Sequence, residues 1–137
     1  MIENGKNEVL LHRCSSVRTW SFAGGGVEIG DSFTSAAITE MREETGFLAN
    51  KEDLIPIATY SKPDFHITHY PNGDVTHYFS MVYLVKEYTG TLKMSPDESL
   101  EIGFYHPDRL PEDAGESVIR LFGFLKEFKE IGKFTNC

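Results

Sequence analysis

Cysteine is scarce in this chain of 137 residues: only Cys14 and Cys137 occur, near opposite ends. That excludes a small scaffold stapled by disulfides, and two free thiols in a reducing cytoplasm are the expectation. Long apolar runs are missing too. Nothing approaches the roughly 18–20 residues of a membrane-spanning helix. "MIENGKNEVLL" does not read as a secretory leader, being too polar and too short in its apolar part. Basic residues are few, 13 Lys and Arg against 21 Asp and Glu, for a net charge of −8. A nucleic-acid polymer is therefore not the expected partner, since its binders present a basic face. A small phosphorylated ligand stays open, because a divalent cation held by carboxylates reverses the local sign. No P-loop, G-x-S-x-G or paired C-x-x-C is present, so the enzyme classes they mark have no support.

What is present is a globular composition, rich in Phe and Tyr, at a length that allows one hydrophobic core. The pattern predicts a strand at Glu8–Arg13 after a turn at Asn4-Gly5, with residues 1–2 as the stub of an earlier strand. A second short strand, Thr19–Phe22, stops at Gly24-Gly25-Gly26. A helix is expected from Phe33 to Thr45, capped by Asp31-Ser32 and ended by a left-handed Gly46. Ile55–Ser61 reads as a third strand. Phe65–Tyr70 and Thr76–Tyr88 read as the arms of a hairpin turning at Pro71–Asp74. Leu100–His106 is a further strand. Glu116–Ile131 is an amphipathic helix with Val118, Leu121, Phe122, Leu125 and Phe128 on one stripe. One helix mid-chain and one at the end, among strands, give an α+β or α/β sandwich.

The mid-chain helix holds the chemistry. Glu40, Glu43 and Glu44 stand at i, i+3 and i+4, which places them on one face at roughly 5–6 Å between Cβ atoms. Like charges at that spacing cost a few tenths of a kcal/mol per pair. Arg42, the helix's one base, points about 100–200° away from them. Two readings follow: a solvated acidic face, or the oxygen ligands of a hard cation such as Mg²⁺, which keeps several waters and needs few carboxylates. The triple glycine lets backbone approach a ligand closely. Ala37 and Met41 stack toward the core and fix the rotation of the helix.

The run Gly25-x5-Asp31-x7-Thr39-Glu40-Met41-x-Glu43-Glu44-x-Gly46-Phe47 resembles the Nudix box, G-x5-E-x7-R-E-U-x-E-E-x-G-U, where U is an apolar residue. All spacings match, and the resemblance extends over nearly the whole chain. It implies an α/β/α sandwich with a mixed central sheet, one catalytic helix and a C-terminal helix, in a single domain spanning 1–137. It implies a Mg²⁺- or Mn²⁺-dependent hydrolase that cleaves the diphosphate linkage of a nucleoside diphosphate joined to another moiety. Glu40, Glu43 and Glu44 would hold the cation, with Glu43 also a candidate base, and Gly25 and Gly26 would shape the substrate loop. Two positions depart from the pattern. Asp31 stands for Glu and keeps the charge. Thr39 stands for an Arg that in the family helps hold the glutamates, and Thr cannot donate a forked charge-assisted bond. That departure supports an alternative: a Nudix-fold nucleotide-binding module with weak or no turnover. The chain also lacks most of the usual first strand. An open sheet edge there would favour a homodimer.

The base in this family comes from the box or from a downstream loop. "SPDESLEIGF" offers Glu98, which fits the family's E-S-x-E-x-x-F/W-F run, and then Glu101. Pro63, sixteen residues beyond Phe47, resembles the subgroup acting on ADP-ribose, and nucleoside triphosphates come second. Phe65, Tyr70, Tyr78 and Phe79 could stack a base or could be core. His66, His69 and His77 are close in sequence, but His66 and His69 would point to opposite faces of a strand, so a zinc site is not expected.

Overall fold

The computed structural model describes residues 1–137. In chain order the elements are β1 (Val9–Cys14), β2 (Trp20–Ser21), α1 (Phe33–Thr45), β3 (Phe47–Leu48), a 3₁₀ turn (Lys51–Asp53), β4 (Leu54–Tyr60), α2 (Pro63–His66), β5 (Ile67–His69), β6 (Val75–His77), β7 (Ser80–Val85), β8 (Thr89–Gly90), β9 (Ser99–Tyr105), α3 (Glu116–Ile131) and β10 (Thr135–Asn136).

Two three-stranded sheets, β2-β1-β9 and β10-β4-β7, form the middle layer. Pairing is antiparallel except for β10 on β4, which is parallel. Residues 1–3 join the two sheets. Ile2 bridges Val85 in parallel and Glu3 bridges Val9 antiparallel. Their backbones bond both ways: Val85 N–H donates to Met1 O, and Leu10 N–H donates to Ile2 O. Residues 1–3 therefore lie inside the sheet, not at an open edge, and offer no edge there to a second subunit.

The helices cover opposite faces because β1 alternates toward both. Val9 and Leu11 pack with Val118, Phe122 and Leu125 of α3. Leu10 packs with Met41 of α1, Phe47 and Leu54. A strand buried on both faces reads as a continuous apolar run rather than an alternation, which is how "VLL" reads. The result is the expected α/β/α sandwich on a mixed sheet.

Both long helices span the predicted residues. Ser32 caps α1, accepting from Ser35 N–H in a reciprocal capping box, and Gly46 ends it at φ 77°. The hairpin differs from the prediction. Pro63 sits in the first turn of α2, where its fixed φ favours a helical turn over a strand. β5 is thus cut to three residues and pairs with β6. The long arm breaks at Tyr78-Phe79, and β7 pairs with β4 instead.

Candidate functional site

The C-terminal half of α1 lies over the end of β1 and the loop after β2. Glu44 turns inward and accepts a hydrogen bond from Gly24 N–H at 3.0 Å. Glu40 presses on Gly25: a Cβ built there would stand 2.4 Å from Glu40 Oε1. So a side chain at 25 would have to displace the Glu40 carboxylate from its place beside the loop. Burial raises the Glu44 carboxyl to about 7, against the Gly24 bond, with the charges of Glu40 and Glu98 pushing the same way as burial. Burial and then the charge of Glu43 raise Glu40. The two carboxyls act on each other in opposite senses, Glu44 lowering Glu40 and Glu40 raising Glu44. Mutual repulsion of closely held carboxylates is relieved by a proton, or by a cation.

Glu43 sits at the exposed rim, 3.9 Å from Arg42. Glu98 is near enough for its charge to act on Glu40, Glu44 and His12. Its backbone is pinned by Ser15 N–H donating to Glu98 O at 2.8 Å. Glu101 is elsewhere. It pairs with Arg13 across β1 and β9, at 3.6 Å, and in that register it shares the α3 face with Val9 and Leu11, opposite to Glu44. Asp31 is also apart, at the other end of α1, where Ser35 Oγ donates to it at 2.9 Å.

No group of three His, Cys, Asp or Glu side chains is close enough together to ligate one ion. The chemistry of the donors still fits a hard divalent cation. Two carboxyls converge and a third stands one turn away, all with oxygen ligands, and Mg²⁺ completes its shell with water and phosphate. The histidines do not compete. His66 bonds to the Phe65 carbonyl and to Ser80, and His77 to the Ser61 carbonyl.

Sequence reasoning missed His12 and Ser99. His12 shares the inward face of β1 with Leu10, so a polar residue at an apolar position was the available signal. Ser99 carried none. Glu28 was also missed; its charge reaches Glu40.

A cavity of about 930 Å³ opens beside the box. β2 and β7, which close their sheets, face each other across it. Gly24–Gly26 form one wall and Tyr78–Tyr83 another, and Phe33 stands at its side. Glu40, Glu44 and Glu98 do not line it; the carboxylates adjoin the cavity through the glycine loop and through α1, which lines it with Ala36, Ala37 and Met41. Phe79, Phe33 and Tyr78 are all exposed.

Similar proteins share this layout. An ADP-ribose pyrophosphatase of Methanocaldococcus jannaschii is 31% identical over 114 residues, which are 82% of this chain and 62% of that protein. The chain spans less than two thirds of the length of each curated relative it matches. A MutT NUDIX hydrolase from Burkholderia pseudomallei superposes with a TM-score of 0.73 at 19% identity, over 90% of this chain and 95% of that one. A UDP-X diphosphatase gives 0.75 at 21%, over 99% and 65%. Identities this low establish the fold alone. The family model described as NUDIX domain matches residues 1–125. That match takes in the box, every strand but β10 and the first turns of α3, and the chain belongs to the Nudix family.

Proposed function

We propose that the protein is a Mg²⁺- or Mn²⁺-dependent hydrolase of the diphosphate linkage in a nucleoside diphosphate joined to another moiety. The observation that carries this is the Glu40–Glu44 pair, half-buried on Gly24 and Gly25 with Glu98 alongside. Glu40 and Glu44, with Glu43 at the rim, would hold the cation. It would supply positive charge against the diphosphate oxygens and acidify water. The chain's own part is as follows. Gly25 and Gly26 admit the diphosphate close to the backbone. Glu98 takes the proton of the attacking water. The water oxygen bonds to phosphorus, the bridging P–O bond breaks, and the leaving phosphate keeps the bridging oxygen. Glu101, facing the other way, has no part in this reading.

ADP-ribose-like substrates come first. The relative from Methanocaldococcus jannaschii is called an ADP-ribose pyrophosphatase, and Pro63 fits that subgroup. Nucleoside triphosphates come second, in line with 8-oxo-dGTP diphosphatase relatives that match a shorter stretch. The cavity walls offer Phe33, Tyr78 and Phe79 for stacking on a base. A net charge of −8 suits a small nucleotide with its cation better than a polymer. No helix is long and apolar enough to cross a membrane. With both cysteines free, a reducing cytoplasm is the setting this reading favours.

Product analysis tests it. Incubation with ADP-ribose and Mg²⁺ is expected to release AMP and a sugar phosphate, each bearing one phosphate. Pyrophosphate release from triphosphates, with ADP-ribose untouched, would move the protein to the second substrate class. Thr39 favours a second reading, a nucleotide-binding module. It predicts saturable nucleotide binding with no product in either assay.

A further inference from the structure

His12 is 8% exposed, and Ser99, its neighbour across β1 and β9, is 1% exposed. Nδ1 lies 2.7 Å from Ser99 Oγ. The other ring nitrogen, Nε2, lies 3.9 Å from Glu44 Oε2. With Ser99 Oγ donating to Nδ1, a neutral ring carries its one proton on Nε2, the side that faces Glu44. An imidazole buried in an apolar strand is costly unless its nitrogens find partners. Leucine at this position would continue the packing of Leu10.

On α1 itself, Glu44 has no basic support. Thr39 has no long charged arm, and Arg42 lies against Glu43 at the surface. We propose that His12, held by Ser99, is the positioning residue for Glu44, giving from the sheet the support that an arginine at position 39 would give from the helix. The present 3.9 Å is wider than a hydrogen bond, and His12 flanks a Glu44 oxygen that also accepts from Gly24 N–H. His12 touches neither substrate nor reacting atoms. It acts through the carboxylate. The inference rests on Glu44 being a cation ligand, as the proposed function has it.

The test is a Mn²⁺ titration of the whole chain, followed by the electron paramagnetic resonance signal of free Mn²⁺, with kcat and KM measured in parallel. His12→Phe is expected to weaken Mn²⁺ binding by about 10–100-fold, the range for residues that orient a metal ligand. The loss should appear in kcat rather than in KM for the nucleotide. His12→Gln, which keeps an N–H donor, should recover most of the affinity. Thr39→Arg should restore binding in the His12→Phe background and change the wild type little. A folded His12→Phe protein with wild-type Mn²⁺ affinity overturns the proposal. If that variant does not fold, Ser99→Ala decides, and unchanged affinity there overturns it as well. Failure of the wild type to bind Mn²⁺ overturns the metal reading and this inference together. Wild-type binding with unaffected variants overturns this inference alone.

Discussion

The Glu40 carboxylate occupies the space that a side chain on Gly25 would need, with Oε1 2.4 Å from an added Cβ. Gly25→Ala must push Glu40 aside. The expected result is a loss of about 10-fold or more in Mn²⁺ affinity, as for other changes that misplace a ligand, with little change in the melting temperature. Gly123, on the exposed side of α3, has open space around it. Gly123→Ala should raise stability by about 0.5–1 kcal/mol and leave turnover unchanged. Calorimetric metal titration beside thermal melts checks both. Equal Mn²⁺ affinity in Gly25→Ala would contradict the close packing of loop and helix.

The two candidate bases are separable by where they point. Glu98→Gln should lower kcat by about 10²-fold or more, the usual contribution of a general base. Glu101→Gln removes only a surface pairing with Arg13 and should change kcat by less than about threefold, since exposed ion pairs are worth little. Steady-state kinetics decides this. A large loss in Glu101→Gln with an active Glu98→Gln would reverse the assignment.

Stability of the metal-free protein should depend on pH through Glu44. Its folded pKa is raised from 4.5 to about 7, so the folded state holds the proton more tightly. That contribution is fully present below the unfolded value and is lost as pH rises through about 7. It amounts to roughly 1–3 kcal/mol. Melting temperature in chelator should therefore fall between pH of about 5 and about 8. Glu40, also raised by burial and by Glu43, adds to the fall. His12, lowered by burial, works against it, because it resists protonation in the fold. Glu44→Gln isolates the Glu44 part and should flatten the curve. A variant curve parallel to the wild type would contradict the raised pKa. A divalent cation should restore stability at high pH, since it binds the ionised form.

Much of this was legible in the sequence because the signals are local. The cap at Ser32, the apolar stacking of Ala37 and Met41, and Gly46 fix α1 from within fifteen residues of chain. The stripe of α3 does the same. Glu40 and Glu44 come together on the glycine loop because a helix converts i, i+4 spacing directly into a face, while Glu43 stands apart at the rim beside Arg42. What was not legible depends on partners distant in sequence. The pairing of β7 with β4 rather than with β5 is a choice between strands that periodicity does not make. Glu101 and Glu98 lie three residues apart, yet the pleat of β9 sends Glu101 to the α3 face while Glu98 stays in the turn before the strand. His12 gains its meaning only from Ser99, which lies 87 residues away, and from Glu44. Residues 1–3 looked like an exposed stub, and the structure builds them between β1 and β7.

The central claim is that Glu44 and its neighbours form a metal-dependent hydrolytic centre. The most direct measurement is turnover of ADP-ribose and a panel of nucleoside triphosphates with Mg²⁺ or Mn²⁺, wild type beside Glu44→Gln. The account predicts metal-dependent release of phosphorylated products by the wild type and a loss of about 10²-fold or more in the variant. Turnover of equal rate in Glu44→Gln, or no turnover of any nucleotide by a wild type that still binds nucleotide, would contradict it.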